Sequence, residues 1–425
     1  MKLVVLTERC FPLSGVPPTE SLLRALVSTN PVVERIVTLR ARRTCVASSK
    51  NTPIIERVML RAAAAALARR GAGAATSLPG GALSHHAPHR HPSSAWTRAA
   101  GMCHDAQALG ALPGESEHAV SDVDKFLFDT NGFVIVKNVF SKKDLKAFHD
   151  AIDAHAHLIH ERKGQLRLTA AKTPLSGDGK TGRKDLAGFL GWDTPHADPF
   201  RSVLAHPKLV PYLHELVGPG YRLDHNPLLI MQDPGAEGFE FHGGSTLDDG
   251  NWNHPLGYDF RHGKMRCNLL AFAVHLTDVE EGDGGFAIVR GSHKSNFVCP
   301  PSIKRYETAT EHSYQPAVSA GDVVIFTEAT THGTLPWKGD AQRRNLIYRF
   351  SPANMSYGRG AMDDGWPASY LEGMSDAQRC VMAPPYHPRL NRVAVRPDAT
   401  GVVKPAPREK HKVDFDRAVF KSDYF

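Results

Sequence analysis

The first part of the predicted folded region alternates between helical and extended patterns of apolar residues. Residues 126–159, "FLFDTNGFVIVKNVFSKKDLKAFHDAIDAHAHLI", begin with a helical pattern and reach a turn at Asn131-Gly132. An apolar strand over 133–139 follows. A second helix is predicted next, with Ser141 as its N-cap and Asp144 at the third helical position.

Beyond about residue 220 the pattern changes to short β-rich runs. These runs are separated by Gly, Pro and Asp, and they read "YRLDHNPLLIMQ", "NLLAFAVHLTDV", "GGFAIVRGS", "GDVVIFTEA" and "RRNLIYRFSP". Several short strands at such spacing predict a β-sandwich or barrel. After about residue 352 we expect loops, one short helix near Ser375–Val381 and, over residues 391–425, a polar C-terminal tail. The folded domain is therefore predicted to span residues 116–390.

The N-terminal 115 residues have a different composition. Residues 1–114 contain 14 Lys and Arg but 5 Asp and Glu, whereas the remainder contains 37 and 39. The basic charge thus belongs to the N-terminus, and the nearly neutral body does not suit a nucleic-acid partner. The stretch from Arg57 to His104 has no acidic residue and is rich in Ala, Arg and Ser. This predicts a disordered extension with an organelle transit peptide for a mitochondrion or plastid, with Met59 as an alternative start. A low-complexity linker after a small N-terminal module is the other interpretation.

Two further classes of protein do not fit the sequence. No apolar run approaches the roughly 18 residues of a spanning helix, so we expect no membrane span. The six cysteines form no CxxC pair and no evenly spaced framework. This argues against a zinc ribbon or a disulfide scaffold and favours a reducing compartment.

Two histidines and one arginine stand in an order that is informative about chemistry. His242 ends the run "GFEFH", and His332 follows the strand in "GDVVIFTEATTH". Arg343 begins the next predicted strand, eleven residues after His332. A strand histidine followed two residues later by a carboxylate is half of a common iron site. Here that position is Gly244.

The motifs around these residues resemble those of the phytanoyl-CoA hydroxylase-like branch of the Fe(II)/2-oxoglutarate-dependent oxygenases. The resemblance runs from about Phe126 to Pro385. It rests on "NGFVIVKNVFS", "LTDVEEGDGGFAIVRGSHKSNF", "GDVVIFTEATTHGTLPW" and "RRNLIYRFSP". The family usually has PGSH where this chain has Arg290-Gly291-Ser292-His293, a small departure. The resemblance implies a double-stranded β-helix, or cupin-like jelly roll: a mostly β fold with flanking helices, in agreement with the strand pattern.

The resemblance also implies roles for individual residues. His242 and His332 match the iron-binding histidines, and Arg343 matches the arginine that pairs with the distal carboxylate of 2-oxoglutarate. Arginine suits this task because its planar fork meets a carboxylate in a bidentate manner. Arg344 is the alternative, since neighbouring strand residues face opposite ways. Fe(II), 2-oxoglutarate and O₂ are the implied cofactors, and the substrate is a small or lipid-like molecule.

The glycine at the carboxylate position has three interpretations. With the period of two that strands show, Glu240, His242 and Gly244 share a face. Gly244 could leave a metal position open for chloride or water, as in halogenating members of the superfamily. Asp248, Asp249 or Glu240 could instead supply the third ligand. In the last interpretation no metal binds and the jelly roll is a non-catalytic binding domain.

We expect oxygenation of an aliphatic C–H bond to an alcohol as the outcome. Halogenation is the first alternative, because of Gly244. A binding domain without catalysis is the second. A cupin-type isomerase or dioxygenase that needs metal but no 2-oxoglutarate is a further alternative.

Overall fold

The computed structural model describes residues 120–169, 172–358, 365–386, 392–406 and 409–421. Its α-helices are α1 Asp122–Asn131, α2 Lys142–Ala154, α3 Asp198–Ser202, α4 Val210–Leu216, α5 Pro301–Lys304, α6 Ala368–Leu371, α7 Asp376–Met382 and α8 Lys410–Phe420. Short 3₁₀ helices cover Ala156–Leu158, Gly164–Leu166, Phe189–Gly191, Val203–Ala205, His254–Leu256, Ser292–Lys294 and Thr310–His312.

Sixteen β-strands lie within the same described residues. They are β1 Phe133–Val136, β2 His160–Glu161, β3 Lys184–Ala187, β4 Arg222–Leu223, β5 Leu228–Gln232, β6 Phe239–His242, β7 Tyr258–Arg261, β8 Lys264–Cys267, β9 Leu270–His275, β10 Gly285–Val289, β11 Ser313–Tyr314, β12 Val323–Thr327, β13 His332–Leu335, β14 Arg343–Ser351, β15 Ala394–Pro397 and β16 Val403–Ala406.

Two antiparallel sheets form the body of the fold. The larger has eight strands in the order β1-β12-β9-β14-β5-β3-β2, with β4 paired to β14. The smaller has four strands in the order β11-β10-β13-β6. Short antiparallel strands in two sheets, with helices beside them, make a jelly roll, so the predicted fold class is confirmed.

The larger sheet is buried on both faces. Along β9, Phe272 and Val274 belong to the main hydrophobic core, which also includes Phe148 of α2 and Phe200 of α3. The alternate residues Ala271 and Ala273 belong to a second core cluster with residues of the smaller sheet. This alternation follows the period of two in a strand, and it places the second cluster between the two sheets. Strands buried on both faces are continuous apolar runs, as in the sequence of β9 and β12.

The helices at the start of the described region form where the sequence predicts them. Ser141 caps α2 and accepts a hydrogen bond from the backbone N–H of Asp144 at 3.3 Å, and the Asp144 carboxylate accepts from the Ser141 N–H at 2.8 Å. This is a reciprocal capping box. Gly132 ends α1 with a φ of 83°, which suits glycine. The strand after it is shorter than predicted, because Asn138 turns the chain with a φ of 52°.

The segment predicted as a polar tail instead contains regular structure. β15 and β16 form an antiparallel hairpin, and Val395 of β15 is buried in the main core. These two strands are short and each contains a proline, so their sequence does not indicate a hairpin. The predicted N-terminal extension over residues 1–115 lies outside the described residues. Within the described residues, no helix is both long and apolar enough to cross a membrane.

Candidate active site

A cavity of about 210 Å³ opens between the two sheets, and it contains the predicted site residues His242, His332 and Arg343. Three further arginines line it: Arg162, Arg183 and Arg349. Much of the remaining wall is apolar, from Leu168, Leu228, Ile230, Phe239, Phe286, Phe326 and Ile347. The cavity thus combines cationic groups with an apolar interior.

The two histidines come together because their strands are neighbours. His242 ends β6 and His332 begins β13, and the two residues are directly opposite partners in the antiparallel pair. Side chains of such partners project from the same face of the sheet. Their ring centroids are 4.3 Å apart. A separation of ninety residues in sequence therefore becomes a direct contact.

Each imidazole makes a backbone contact through Nδ1. In His332 this nitrogen lies 2.8 Å from the carbonyl oxygen of Thr330, and in His242 it lies 3.0 Å from that of Glu240. A carbonyl can only accept, so Nδ1 donates in both rings and Nε2 keeps its lone pair. This is the tautomer in which protein histidines bind metals through Nε2.

A buried carboxylate that the sequence interpretation missed completes the group. Glu328 lies on the turn between β12 and β13, four residues before His332. Its Oε2 is 3.6 Å from Nε2 of His332. Ligand atoms of His242, Glu328 and His332 all lie within 4.8 Å of one another. The described residues offer no other such group of three. Two nitrogens and one carboxylate oxygen suit Fe(II) with open positions, so the donor set fits the implied metal.

The protonation states also suit metal binding. Burial lowers the pKa of His332 to about 4, and the neighbouring His242 acts in the same direction. The pKa of His242 is lowered as well, mainly by burial. Burial opposes charge on Glu328, but Arg349 and the two histidines outweigh it and lower the pKa of this carboxyl to about 2. Neutral imidazoles and an ionised carboxylate are the forms that bind a divalent cation.

Arg343 is a buried cation that faces the same cavity. Its Nη1 donates to Oε1 of Gln232 at 2.9 Å, while its Nε has no hydrogen-bond partner. Gly285 leaves room for it, since a Cβ there would lie 2.6 Å from that Nε. Burial, with help from the cation of Arg183, lowers the pKa of Arg343 to about 9. The residue is therefore charged at neutral pH and suited to an anionic group of a ligand.

Arg344, the alternative anchor, lies on the opposite face of β14. Its Nη2 donates to Oδ1 of Asp153 at 2.7 Å, and its Nη1 lies 3.1 Å from Nδ1 of His149. Both contacts are to α2, on the far side of the sheet from the cavity. The structure thus brings Arg343 to the histidines and directs Arg344 away from them.

The three carboxylates considered as third ligands also lie away from the histidines. The side chain of Asp248 is 89% exposed and pairs with Lys304 at 3.4 Å. Asp249 is exposed and accepts hydrogen bonds from Asn251. Glu240 is exposed on β6. None of the three belongs to the group formed with His242 and His332.

Gly244 does not share a strand face with His242, because β6 ends at the histidine. Gly243 and Gly244 have φ values of 85° and 107°, which residues other than glycine rarely adopt. A Cβ on Gly243 would lie 2.6 Å from the carbonyl oxygen of Glu328, and the Gly244 N–H donates to that oxygen at 3.3 Å. The glycines therefore allow the end of β6 to pack against the turn that carries Glu328.

One signal for Glu328 was present in the sequence, namely a carboxylate four residues before the second histidine in "TEATTH". Asn345 and Arg349 could also have been found, because they follow Arg343 by two and six residues along one strand and line the same cavity. Arg183 carries no comparable signal, since it reaches the cavity from a segment before the predicted strands.

The structure is similar to solved oxygenases at low sequence identity. HygX from Streptomyces hygroscopicus, solved with nickel and 2-oxoglutarate bound, is 20% identical, with 58% of this chain and 94% of that chain covered and a TM-score of 0.45. The non-heme alpha ketoglutarate dependent carbocyclase SnoK from nogalamycin biosynthesis is 17% identical, with 58% and 89% covered and a TM-score of 0.41. No curated protein sequence matches the chain.

The sequence profile of the phytanoyl-CoA dioxygenase (PhyH) family matches residues 128–345. The matched segment makes up more than half of the chain and contains His242, Glu328, His332 and Arg343. The protein is accordingly an Fe(II)/2-oxoglutarate-dependent oxygenase, and the predicted set of Fe(II), 2-oxoglutarate and O₂ is confirmed. The chain therefore belongs to the phytanoyl-CoA dioxygenase family.

Proposed function

We propose that this oxygenase hydroxylates an aliphatic C–H bond of a small or lipid-like molecule. One observation carries the proposal. Two histidines, whose Nε2 atoms can bind a metal, and a buried arginine line a single cavity with largely apolar walls, and an ionised carboxylate lies beside the histidines. This combination suits a metal, a dicarboxylate cosubstrate and an apolar part of a substrate at the same time.

Different residues of the site would bind the metal and the cosubstrate. His242 and His332 would hold Fe(II), with Glu328 as the neighbouring anion, and Arg343 would hold the distal carboxylate of 2-oxoglutarate. When bound, the iron supplies O₂ activation coupled to decarboxylation of 2-oxoglutarate to succinate. Gln232 orients the arginine: its Nε2 donates to the Glu237 carbonyl at 2.8 Å, which turns its Oε1 toward Arg343. A fixed arginine fork is pre-organised for a carboxylate.

The apolar walls have a separate role, which is to orient the substrate and exclude water. Phe286 and Phe326 pack around His332, with ring centroids 6.0 Å and 4.7 Å from that of the imidazole. Ile230 and Ile347 also line the cavity. A reactive centre with apolar walls keeps solvent from the site of C–H cleavage. An aliphatic or lipid-like portion of a substrate is the chemical match for such walls.

Two observations favour hydroxylation over halogenation. The halogenase hypothesis needs an open metal position created by the missing carboxylate at Gly244. A carboxylate is already present next to the histidines, in Glu328. The presence of glycine at position 244 is explained by its φ of 107°, which other residues rarely adopt. Chloride therefore has less support as a cofactor than the sequence alone gave it.

The test is product analysis after anaerobic loading with Fe(II). Addition of O₂ and 2-oxoglutarate should form succinate, and products from a panel of aliphatic acids and lipids should gain one oxygen atom whether chloride is present or absent. Arg343→Met should greatly reduce succinate formation at low 2-oxoglutarate, and Arg344→Met is the matched control. Products that gain chlorine would establish the halogenase alternative.

The same experiment separates the remaining alternatives. A binding domain without catalysis would form no succinate under any condition. A cupin-type isomerase or dioxygenase would turn over with metal but without 2-oxoglutarate. Succinate formation that depends on both Fe(II) and Arg343 excludes each of them.

We also propose an organellar location for the protein, in a mitochondrion or plastid. The supporting observation is the acid-free stretch from Arg57 to His104, rich in Ala, Arg and Ser. Residues 1–115 fused to a fluorescent reporter should direct it to one of these organelles. A reporter that stays in the cytosol would contradict the proposal.

A further inference from the structure

The anionic ligand of the metal is absent from its usual place, two residues after the first histidine. That place is Gly244, and a Cβ built there would have one neighbour within 4 Å, Oγ1 of Thr331 at 4.0 Å. The φ of 107° at Gly244 disfavours any other residue. A carboxylate ligand must therefore come from elsewhere in the chain if the site has one.

Glu328 has the burial and the orientation that such a ligand requires. Its side chain is only 5% exposed. A buried carboxylate without partners is costly, so Glu328 requires partners for its charge. Oε1 accepts a hydrogen bond from Nε of Arg349 at 2.5 Å. Oε2 lies on the side of the histidines, 3.6 Å from Nε2 of His332. One oxygen is thus held by the protein and the other faces the two imidazoles.

Arg349 is oriented in turn by a hydrogen bond on the side away from Glu328. Its Nη1 donates to Nε2 of His225 at 3.3 Å, and Nδ1 of His225 donates to Oδ2 of Asp224 at 2.8 Å. Asp224 is fully buried and also accepts from the backbone N–H groups of Tyr357 and Gly358 at 2.8 Å and 2.7 Å. A chain of hydrogen bonds therefore runs from a buried aspartate to the carboxylate beside the histidines. Partners of this kind fix the orientation of metal ligands.

We propose that Glu328 is the anionic metal ligand of this protein, in place of a carboxylate at position 244, and that Arg349 is a positioning residue that leaves Oε2 available to the metal. The metal site then consists of one histidine from the end of β6, together with a Glu-x₃-His pair on the β12–β13 turn. This inference rests on the proposed function only in assuming that the site binds a divalent metal. The competing explanation is that Glu328 and Arg349 form a purely structural ion pair.

Binding of Mn(II) to the metal-free protein distinguishes the two explanations without any turnover. Calorimetry on the full chain should show that Glu328→Gln weakens Mn(II) binding by at least about 10- to 100-fold, the loss that changing even an outer partner of a metal ligand causes. The matched controls are Glu240→Gln and Asp248→Asn, which make the same chemical change at exposed carboxylates and should leave the affinity within about twofold. Equal affinity in the wild type and Glu328→Gln would overturn the inference. Absence of Mn(II) binding by the wild type would instead contradict the proposed function.

A double variant covers the case in which Glu328→Gln does not fold. Removing Glu328 alone leaves Arg349 as an unpaired cation, whereas Glu328→Gln with Arg349→Met removes both charges together. The double variant should melt cooperatively but bind Mn(II) weakly. Mn(II) affinity equal to that of the wild type in this variant would show that the pair is structural.

Arg349 has its own test, because a positioning residue acts through Glu328. Arg349→Lys keeps the positive charge but loses the planar fork. It should weaken Mn(II) binding by about 10- to 100-fold, as expected when a partner of a metal ligand is changed. With Co(II) bound in place of Mn(II), Arg349→Lys should also have a visible absorption spectrum that differs from that of the wild-type Co(II) complex. An unchanged spectrum with unchanged affinity would remove Arg349 from this role.

Discussion

His332 and Arg343 face the same cavity, but the protein satisfies their polar groups to different extents. The metal end is formed by His242, Glu328 and His332. There, Nδ1 of each histidine donates to a backbone carbonyl, and Oε1 of Glu328 accepts from Arg349, so the other nitrogen or oxygen of each group remains for a metal. At the arginine end, Arg343 has Gln232 on one nitrogen and a buried Nε without a partner. Arg343 and Arg349 are six residues apart on β14, or about 20 Å along a strand, so one strand serves both ends.

This difference indicates how each ligand is bound. The metal end is oriented by short local contacts, because each histidine donates to the carbonyl two residues before it. The arginine end keeps an unsatisfied buried cation, and a buried charge without a counter-ion is costly. A dicarboxylate therefore removes an energetic cost when it binds, while a metal enters a site whose geometry is already set. Four experiments can break or sharpen this comparison.

The largest effect is expected from loss of either histidine. His242→Ala and His332→Ala each remove one of three ligands, so Fe(II)-dependent succinate formation should fall to background. His312→Ala, at an exposed histidine outside the cavity, is the matched control and should keep full activity. Substantial activity in either cavity variant would place the metal elsewhere.

The next effect concerns the arginine end. Loss of one partner from a buried charge pair costs about 2–5 kcal/mol, or about 30-fold and upward in affinity. Arg343→Met should raise the KM for 2-oxoglutarate by at least that factor while leaving Mn(II) affinity nearly unchanged. Arg344→Met should change neither, because its guanidinium contacts α2. A reversed result would mean that the two residues exchange faces of β14 in solution.

A smaller effect is expected at Gly243, which follows β6 and packs against the turn after β12. A non-glycine residue held at a positive φ costs about 1–3 kcal/mol of folding free energy. Gly243→Ala should lower the free energy of unfolding by more than this, since its Cβ would also lie 2.5 Å from the Thr330 carbonyl oxygen. Gly250→Ala, with a φ of 83° and no atom within 4 Å of the added Cβ, measures the cost of the backbone conformation alone. Urea denaturation compares the variants, and equal losses would show that the contact is relieved.

The smallest effect is the response of metal binding to pH. Free imidazoles with a pKa of about 6.5 would weaken two-histidine binding by about tenfold between pH 8 and pH 6. Burial lowers the pKa of His332 to about 4 and also lowers that of His242. Protons should therefore compete with the metal less than they do at free imidazoles, and the fall in Mn(II) affinity between pH 8 and pH 6 should be clearly smaller than tenfold. A tenfold fall by pH 6 would indicate that the imidazoles are solvated.

Much of the fold was accessible from the sequence because local rules are obeyed there. The capping box of Ser141 and the apolar runs of β9, β12 and β14 follow propensity and period directly. Residues 394–406, by contrast, have no regular alternation of apolar and polar positions, and only packing against the main core reveals their buried side. Sequence cannot show which of several amphipathic segments finds a core to cover.

The predicted site shows where such reasoning stops. The resemblance of the surrounding motifs points to His242, His332 and Arg343, and the structure brings all three to one cavity. Glu328 is not among the predicted third ligands, which are Glu240, on the period of two along β6, and Asp248 and Asp249 in the loop after it. That period ends with β6, and the chain then turns through positive φ. A ligand contributed by a turn on another strand follows no periodicity in the first.

The position of β6 at the edge of the four-stranded sheet gives the metal a mechanical role as well. An edge strand has a partner on one side only, and the pairing of β6 with β13 is interrupted by a register shift between His332 and Thr334. A metal bound by both strands would link them, and it would stabilise the folded state by an amount that rises with the logarithm of its free concentration. Amide hydrogens of β6 should then exchange with solvent more slowly when metal is bound, so the metal would protect this edge of the sheet from local opening.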